Sequence, residues 1–348
     1  MSNPHKFWRL TLDTNPEDCN LHCIMCEEHS PYSDFIPRMT AATGIKRRRM
    51  PYAWVERLIG EAAALGATEI IPSTMGEPLL YKGFERLFEA AGKAGIKINL
   101  TTNGTFPKKS VEEWAEVIVP HTSDVKISWN GATAETASKV MLGIDFEEAL
   151  DNVKRFIAVR DRIYHNGGNF CRVTFQLTFM DNNMHELADM VKLAAQLGVN
   201  RVKGHHLWDH FSEIKHLNLR NDPARLARWN RYVEEAQKAA NDHLLPNGEP
   251  ITLENIHPLA ITDASTVPQH YECPFLGKEL WISATGKISP CCAPDEQRQA
   301  LGDFGNIEDV TLEGVLNSEP YQALVHHYRE KPLCQGCTMR IPPSTNLQ

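Results

Sequence analysis

Residues 19–26 read Cys-Asn-Leu-His-Cys-Ile-Met-Cys, close behind an alternating stretch at 6–13, Lys-Phe-Trp-Arg-Leu-Thr-Leu-Asp. The alternation predicts a strand. Three thiols spaced C-x3-C-x2-C therefore stand just past that strand's C-terminal end. Three thiolates on a short loop can hold three irons of a cubane cluster and leave the fourth iron open. The alternative is a zinc site completed by His22.

Outward from this loop the pattern repeats. Strands are predicted at 67–73, 96–102, 124–129, 171–178 and 200–205, and helices at 51–66, 81–95, 109–117, 145–161 and 184–197. Six strands alternating with helices imply a parallel sheet with right-handed crossovers. The expected fold class is α/β, a partial (β/α)6 barrel, and such sheets carry their sites at the C-terminal strand ends. The barrel is expected to occupy 1–210. A helical bridge over 211–265 is built on one amphipathic helix at 222–243, and a small cysteine-bearing domain covers 266–348.

Net charge is −8, which opposes nonspecific nucleic-acid binding. No apolar run reaches membrane-spanning length, and the N-terminus lacks a signal-type apolar segment. No nucleic acid and no membrane are expected as partners, and the cytoplasm is the expected location. Nine cysteines fall into two groups with Cys171 alone between them. Grouped thiols in a reducing compartment point to metal rather than disulfides. Cys171 alternates with Val173 and Phe175, so it reads as a packed core thiol. The basic run Lys46–Arg49 reads as a solvated loop, with a dock for an acidic partner or phosphate as the sharper alternative.

With these residues in view, the chain resembles the radical SAM superfamily over most of its length. Cys19, Cys23, Met25 and Cys26 match the family's C-x3-C-x-Φ-C motif. The resemblance implies a [4Fe-4S] cluster on the three cysteines, S-adenosylmethionine on the open iron, and Met25 near the adenine. The family's Gly-Gly-Glu-Pro turn stands here as Met75-Gly76-Glu77-Pro78, with Met75 in place of the first glycine. It implies that Gly76 and Glu77 meet the amino group of the methionine moiety. Asn103, Ser128 and Asn130 at the next two strand ends, and Gln176 on the fifth strand, are the further expected cofactor contacts.

The second cysteine group is Cys273, Cys291, Cys334 and Cys337, with Gly286-x4-Cys291 and Cys334-x2-Cys337 spacings. Four thiolates close the shell of a second cluster; a structural Zn(Cys)4 site is the alternative. The spacing resembles the twitch domain, the shortened form of the SPASM domain. It implies one auxiliary [4Fe-4S] cluster, with Cys291 rather than Cys292 as ligand. Cys292 is then a candidate hydrogen donor. His205 and His206, in the polar run after the sixth strand, are candidates for a substrate pocket.

The mechanism implied by the resemblance begins with a flavodoxin- or ferredoxin-type electron donor. SAM cleavage gives a 5′-deoxyadenosyl radical, which removes hydrogen from an unactivated carbon. The expected outcome is oxidative tailoring, by dehydrogenation or crosslinking, of a ribosomally made peptide. The first strand begins so early that no leader-binding domain is expected before it, which weighs against a peptide. The alternative is a dehydrogenase or epimerase of an aminocyclitol or aminosugar. A non-enzymatic alternative is a zinc-stabilised binding module.

Overall fold

The computed structural model describes residues 7–259 and 267–343. All six expected strands form: β1 (Arg9–Leu12), β2 (Glu69–Ile71), β3 (Lys97–Thr102), β4 (Thr122–Ser128), β5 (Arg172–Phe179) and β6 (Arg201–His206). They lie side by side in chain order, all parallel. Three further strands extend the sheet. β7 (Thr252–Glu254) joins parallel to β6, β8 (Glu279–Ile282) joins parallel to β1, and β9 (Ile288–Ser289) pairs antiparallel with β8. The spatial order is β9-β8-β1-β2-β3-β4-β5-β6-β7.

The placement of β8 bears on the organisation expected from sequence. Its residues were read as part of a C-terminal unit, yet they hydrogen-bond directly to β1. Buried residues from Leu10 to Cys334 form one continuous core. The boundary expected at 265/266 lies outside the described residues, as do Ser344 to Gln348.

Helices cover the outer face. The expected ones are α2 (Tyr52–Ala64), α3 (Glu85–Lys93), α4 (Val111–Ile118), α6 (Phe146–His165), α7 (Leu187–Leu197) and α8 (Pro223–Asp242). Ser110 and Glu113 form a capping box at α4, which fixes its start. Two helices escaped the sequence reading: α1 (Phe35–Thr43) and α5 (Ala134–Val140). Both are short, and α1 carries Pro37 and few large apolar residues, so neither has a long periodic face. Beyond β9, α9 (Asp295–Gln299) is followed by three further short helices. The helical stretch over 312–327 is broken by a turn at Asn317, and Ser318 caps the next helix.

Strand alternation sorts the barrel into two environments. Leu10, Ile70, Ile98, Leu100, Val125, Ile127, Val173, Phe175 and Val202 are buried against the helices. The opposite positions carry Arg9, Glu69, Asn99, Asp124, Lys126, Thr174, Arg201 and Lys203. The lumen is thus a polar network rather than an apolar plug. Among the described residues no helix is long and apolar enough to cross a membrane.

Candidate active site

The loop after β1 is held in place from three sides. Asn15, fully buried, donates to the Glu77 carbonyl at 2.9 Å, and the Glu77 amide donates to the Asp18 carbonyl at 2.6 Å. His22–Cys23 pairs as a two-stranded ribbon with Met141–Leu142, and the Ile24 amide donates to Val140. The third side is the basic run. Arg48 meets Glu17 at 2.5 Å and Glu28 at 2.6 Å, while Arg47 and Arg49 both pair with Asp18. The run is a loop with Lys46, Arg47 and Arg49 exposed, as expected, but it is not an open dock. Its arginines are spent on acids that flank Cys19 and Cys26. Sequence distance hid this, because the partners lie some 20 to 31 residues away.

One cavity of about 350 Å³ opens at the C-terminal ends of the strands. Cys19, Cys23, Met25 and Cys26 line it, together with Gly76, Asn103, Ser128 and His205. These are residues that the sequence assigned to one site, and the fold brings them together. The Leu21 amide donates to Cys19 Sγ at 3.5 Å and the His29 amide to Cys26 Sγ at 3.4 Å. Such N–H···S contacts favour thiolate over thiol. Burial acts the other way: it raises all three thiols, pushing Cys26 up to about 12. Without iron these cysteines stay protonated at neutral pH, so iron binding must release protons.

Gly76 carries a constraint visible only in three dimensions. Its φ is +72°, and a Cβ there would lie 2.5 Å from the Asn15 carbonyl oxygen and 2.8 Å from that of Asp18. The close backbone approach survives the replacement of the preceding glycine by Met75, because Gly76 makes it.

Four expected contacts are not in the cavity wall. Glu77 is fully buried, and its carboxylate accepts from the Asn103 amide at 2.7 Å, the Thr102 hydroxyl at 2.9 Å and the Leu79 amide at 3.1 Å. Burial pushes this carboxyl up to about 7, while the three donors hold it down. It ties the β2 turn to the end of β3. Thr74, Met75 and Gly76 form the wall at that point. Asn130 is buried, accepts from the Thr178 amide at 2.8 Å, and borders a separate small void. Gln176 faces inward but sits one layer lower, its amide 3.5 Å from His205 Nδ1. His206 points to the opposite face, packed between Phe179 and Trp229 at centroid distances of 5.4 and 5.0 Å. Period-2 alternation forbids adjacent strand residues from sharing a face, and His205 takes the inner one.

Burial lowers His205 to about 4, with Lys203 and His210 adding to it, and lowers His210 to about 4. Both rings are neutral at physiological pH. His210 and Trp208, from the same polar run, also line the cavity. Trp281 on β8 and Met339 line it too; no motif flagged either residue, and only the β8–β1 pairing brings Trp281 there.

The C-terminal thiols lie close enough to act on one another electrostatically. Burial pushes Cys291 up to about 12, and the neighbouring Cys273, Cys337 and Cys334 add to the rise. Cys334 is pushed to about 12 by burial, then by Cys273 and Cys337. Cys291 is buried, and Cys292, which Cys291, Cys337 and Cys273 also influence, lines the main cavity. Cys171 is fully buried at the opposite end of β5. All nine cysteines are free. Among the described residues no three His, Cys, Asp or Glu side chains converge as a single-ion site requires. Three thiols facing one cavity, with amide donors on two sulfurs, are a donor set that suits iron–sulfur ligation.

Comparison with known proteins accords with this geometry. No curated protein matches the chain. Among solved structures, Streptococcus suis SuiB bound to S-adenosylmethionine is 18% identical, with a TM-score of 0.67, covering 96% of this chain and 72% of that one. SuiB bound to the precursor peptide SuiA is 17% identical with the same TM-score, covering 96% and 71%. Native anSMEcpe with bound AdoMet and Kp18Cys peptide is 16% identical, with a TM-score of 0.62, covering 95% and 89%. At these identities the likeness is one of fold. The SPASM model, an iron–sulfur cluster-binding domain, matches residues 273–338, so the cofactors are SAM and two iron–sulfur clusters. The radical SAM model matches residues 16–194, half of the sequence, and the chain belongs to the radical SAM superfamily.

Proposed function

We propose that this enzyme removes a hydrogen atom from an unactivated carbon of a peptide held in the cavity, and completes an oxidative tailoring step. The carrying observation is that the Cys19–Cys26 loop and the C-terminal segment face each other across one cavity. On this reading Cys19, Cys23 and Cys26 hold the SAM-binding cluster, and Cys273, Cys291, Cys334 and Cys337 hold the auxiliary one. The bound cluster and SAM together supply a carbon radical. The chain's own residues do the rest. Leu21, Met25, Trp208, Trp281 and Met339 give the cavity apolar surface that keeps water from the radical. Neutral His205 and His210 offer hydrogen-bonding groups without adding charge. After hydrogen removal the substrate gives up one electron and one proton. An auxiliary cluster held by Cys273, Cys291, Cys334 and Cys337 would accept that electron. A flavodoxin- or ferredoxin-type donor reduces the first cluster.

The peptide reading is in keeping with SuiB and anSMEcpe, both of which hold peptides in solved structures. A second reading, epimerisation, is favoured by Cys292, whose thiol lines the cavity and could return a hydrogen atom. Turnover in deuterated water separates them. Oxidation gives a product lighter by two hydrogens. Epimerisation gives a product with one deuterium at the inverted carbon, and Cys292→Ala abolishes its formation. Iron analysis tests the cofactor assignment: the holoenzyme should carry about eight irons, and replacing Cys19, Cys23 and Cys26 should remove about four and stop 5′-deoxyadenosine formation.

A further inference from the structure

Below the cavity, the carboxylates that the strands turn into the lumen are already engaged. Glu279 takes Arg9 at 2.5 Å and the Thr11 hydroxyl. Glu69 takes Arg9, Asn99 at 2.8 Å and Ser123 at 2.9 Å. Asp124 takes Arg201, Arg172 at 3.3 Å and Thr174 at 2.8 Å. Glu254 takes Arg201 and Lys203, the latter at 2.6 Å.

Lys126 stands among these pairs without one. It lies on β4, one inward step below Ser128 and in register with Thr101 on β3, and both of those residues line the cavity. Among the described residues it makes no hydrogen bond and no ion pair, and Asp124 and Glu69, both engaged by other partners, act on it only as nearby charges. Nor is it fully enclosed: Lys126, Gln176, Lys203 and His205 all keep some accessible surface, and His205 lines the cavity. Other donors there lack acceptors. The Trp281 indole N–H is buried in the cavity wall with no partner. The Gln176 amide at His205 Nδ1 leaves the Nε2–H as that ring's donor. A desolvated cation without an ion pair costs free energy, and a ligand carboxylate would reduce that cost.

We propose that this floor binds a carboxylate of the substrate, with Lys126 as its counter-ion. The proposal rests on the peptide reading above and names the recognised group: an acidic side chain or a C-terminal carboxylate. Burial and the nearby charge of Lys203 lower Lys126 to about 8. A carboxylate would offset both effects, whereas a cationic amino sugar would add like charge.

The test uses matched probes that differ only in charge. N-acetyl-L-glutamate amide is compared with N-acetyl-L-glutamine amide, and N-acetyl-L-alanine with its amide. Each is titrated calorimetrically into the oxidised, SAM-saturated holoenzyme. At least one acid should bind about tenfold or more tighter than its amide. Lys126→Met and Lys126→Gln should both erase that difference. Equal binding of acid and amide in both pairs would overturn the proposal, and so would a difference that survives in both variants. SAM also carries a carboxylate, so SAM is titrated separately. Weakened SAM binding in the variants, with probe discrimination intact, would reassign Lys126 to the cofactor and overturn the proposal. The readout is binding alone, so it stands or falls apart from whether a peptide is turned over.

Discussion

Gly76→Ala should displace the cysteine loop, and the structure supplies its own control. Gly44 and Gly76 share a φ of +72°, but a Cβ at Gly44 meets nothing within 4 Å. An alanine at Gly44 therefore incurs only the left-handed backbone cost, about 1–2 kcal/mol. At Gly76 the same cost is joined by three carbonyl oxygens, from Asn15, Asp18 and Pro16, at 2.5, 2.8 and 3.0 Å. All are backbone atoms, so no rotamer change relieves the clash. Forcing such a contact typically costs a further ~1–3 kcal/mol. The total is about 2–5 kcal/mol. At roughly 2 °C per kcal/mol for a chain of this size, Gly44→Ala should lower Tm by about 2–4 °C and Gly76→Ala by about 4–10 °C. The decisive measurement is iron content alongside the anaerobic melting curve. Asp18 immediately precedes Cys19, so Gly76→Ala should also lose iron from the first cluster while Gly44→Ala keeps it. If the two variants lose equal stability and retain equal iron, the close approach at Gly76 does not position the loop.

The basic run makes two opposite forecasts. Arg48→Ala leaves Glu17 and Glu28 buried without their cation and should cost about 3–5 kcal/mol in chemical denaturation. Arg47→Ala removes a partner that is 59% exposed and should cost below about 1 kcal/mol by the same assay. Glu186 anchors α5 by accepting from the Ala132 amide at 2.6 Å and from the Thr133 and Thr136 hydroxyls at 2.7 Å. Glu186→Gln should cost about 1–3 kcal/mol. Burial alone would raise this carboxyl, but those hydrogen bonds outweigh it and hold it below the usual range. A depressed folded pKa contributes stability above the unfolded value and loses it as pH falls. The gap between wild type and Glu186→Gln should therefore be full at neutral pH and shrink as pH drops through the carboxylate range.

The sequence carried the site unevenly, for reasons that individual residues make plain. The six parallel strands and the cysteine loop were legible because alternation and thiol spacing are local signals. Gly76 was legible as a motif position, but its reason, three carbonyls from a segment some sixty residues earlier, was not. Glu77 was legible as a motif position, but its donors, Thr102 and Asn103 at the end of β3 and the nearby Leu79 amide, were not. His206 was an avoidable error: His205 already occupied the inner face. Trp281 and the Arg48 clamp had no local signal at all. Each depends on a tertiary contact between segments that nothing in the sequence pattern links. Lys126 reads in sequence as an ordinary polar position on an alternating strand. Only the accounting of every lumen carboxylate exposes it as unpaired.

The pairing of β8 with β1 bears on how the two iron–sulfur regions cooperate. β1 delivers the first cysteine loop, and β8 is hydrogen-bonded to it along its whole length, from Arg9↔Glu279 to Leu12↔Ile282. A single sheet therefore sets the distance between the loop and the segment bearing Cys291 and Cys292. Had the C-terminal part been tethered only by a linker, that distance would vary with domain motion, and so would any electron or hydrogen transfer across the cavity. Two side contacts stiffen the arrangement. Glu27, next to Cys26, accepts from the Asp295 amide at 2.9 Å at the start of α9, and Arg57 on α2 donates to the Ile307 carbonyl at 2.7 Å. The cavity wall is thus shared between the two regions. Trp281 and Cys292 come from one, and the thiol loop comes from the other. The barrel alone would leave the cavity open beside β1, so the C-terminal segment forms part of the cavity wall as well as carrying thiols.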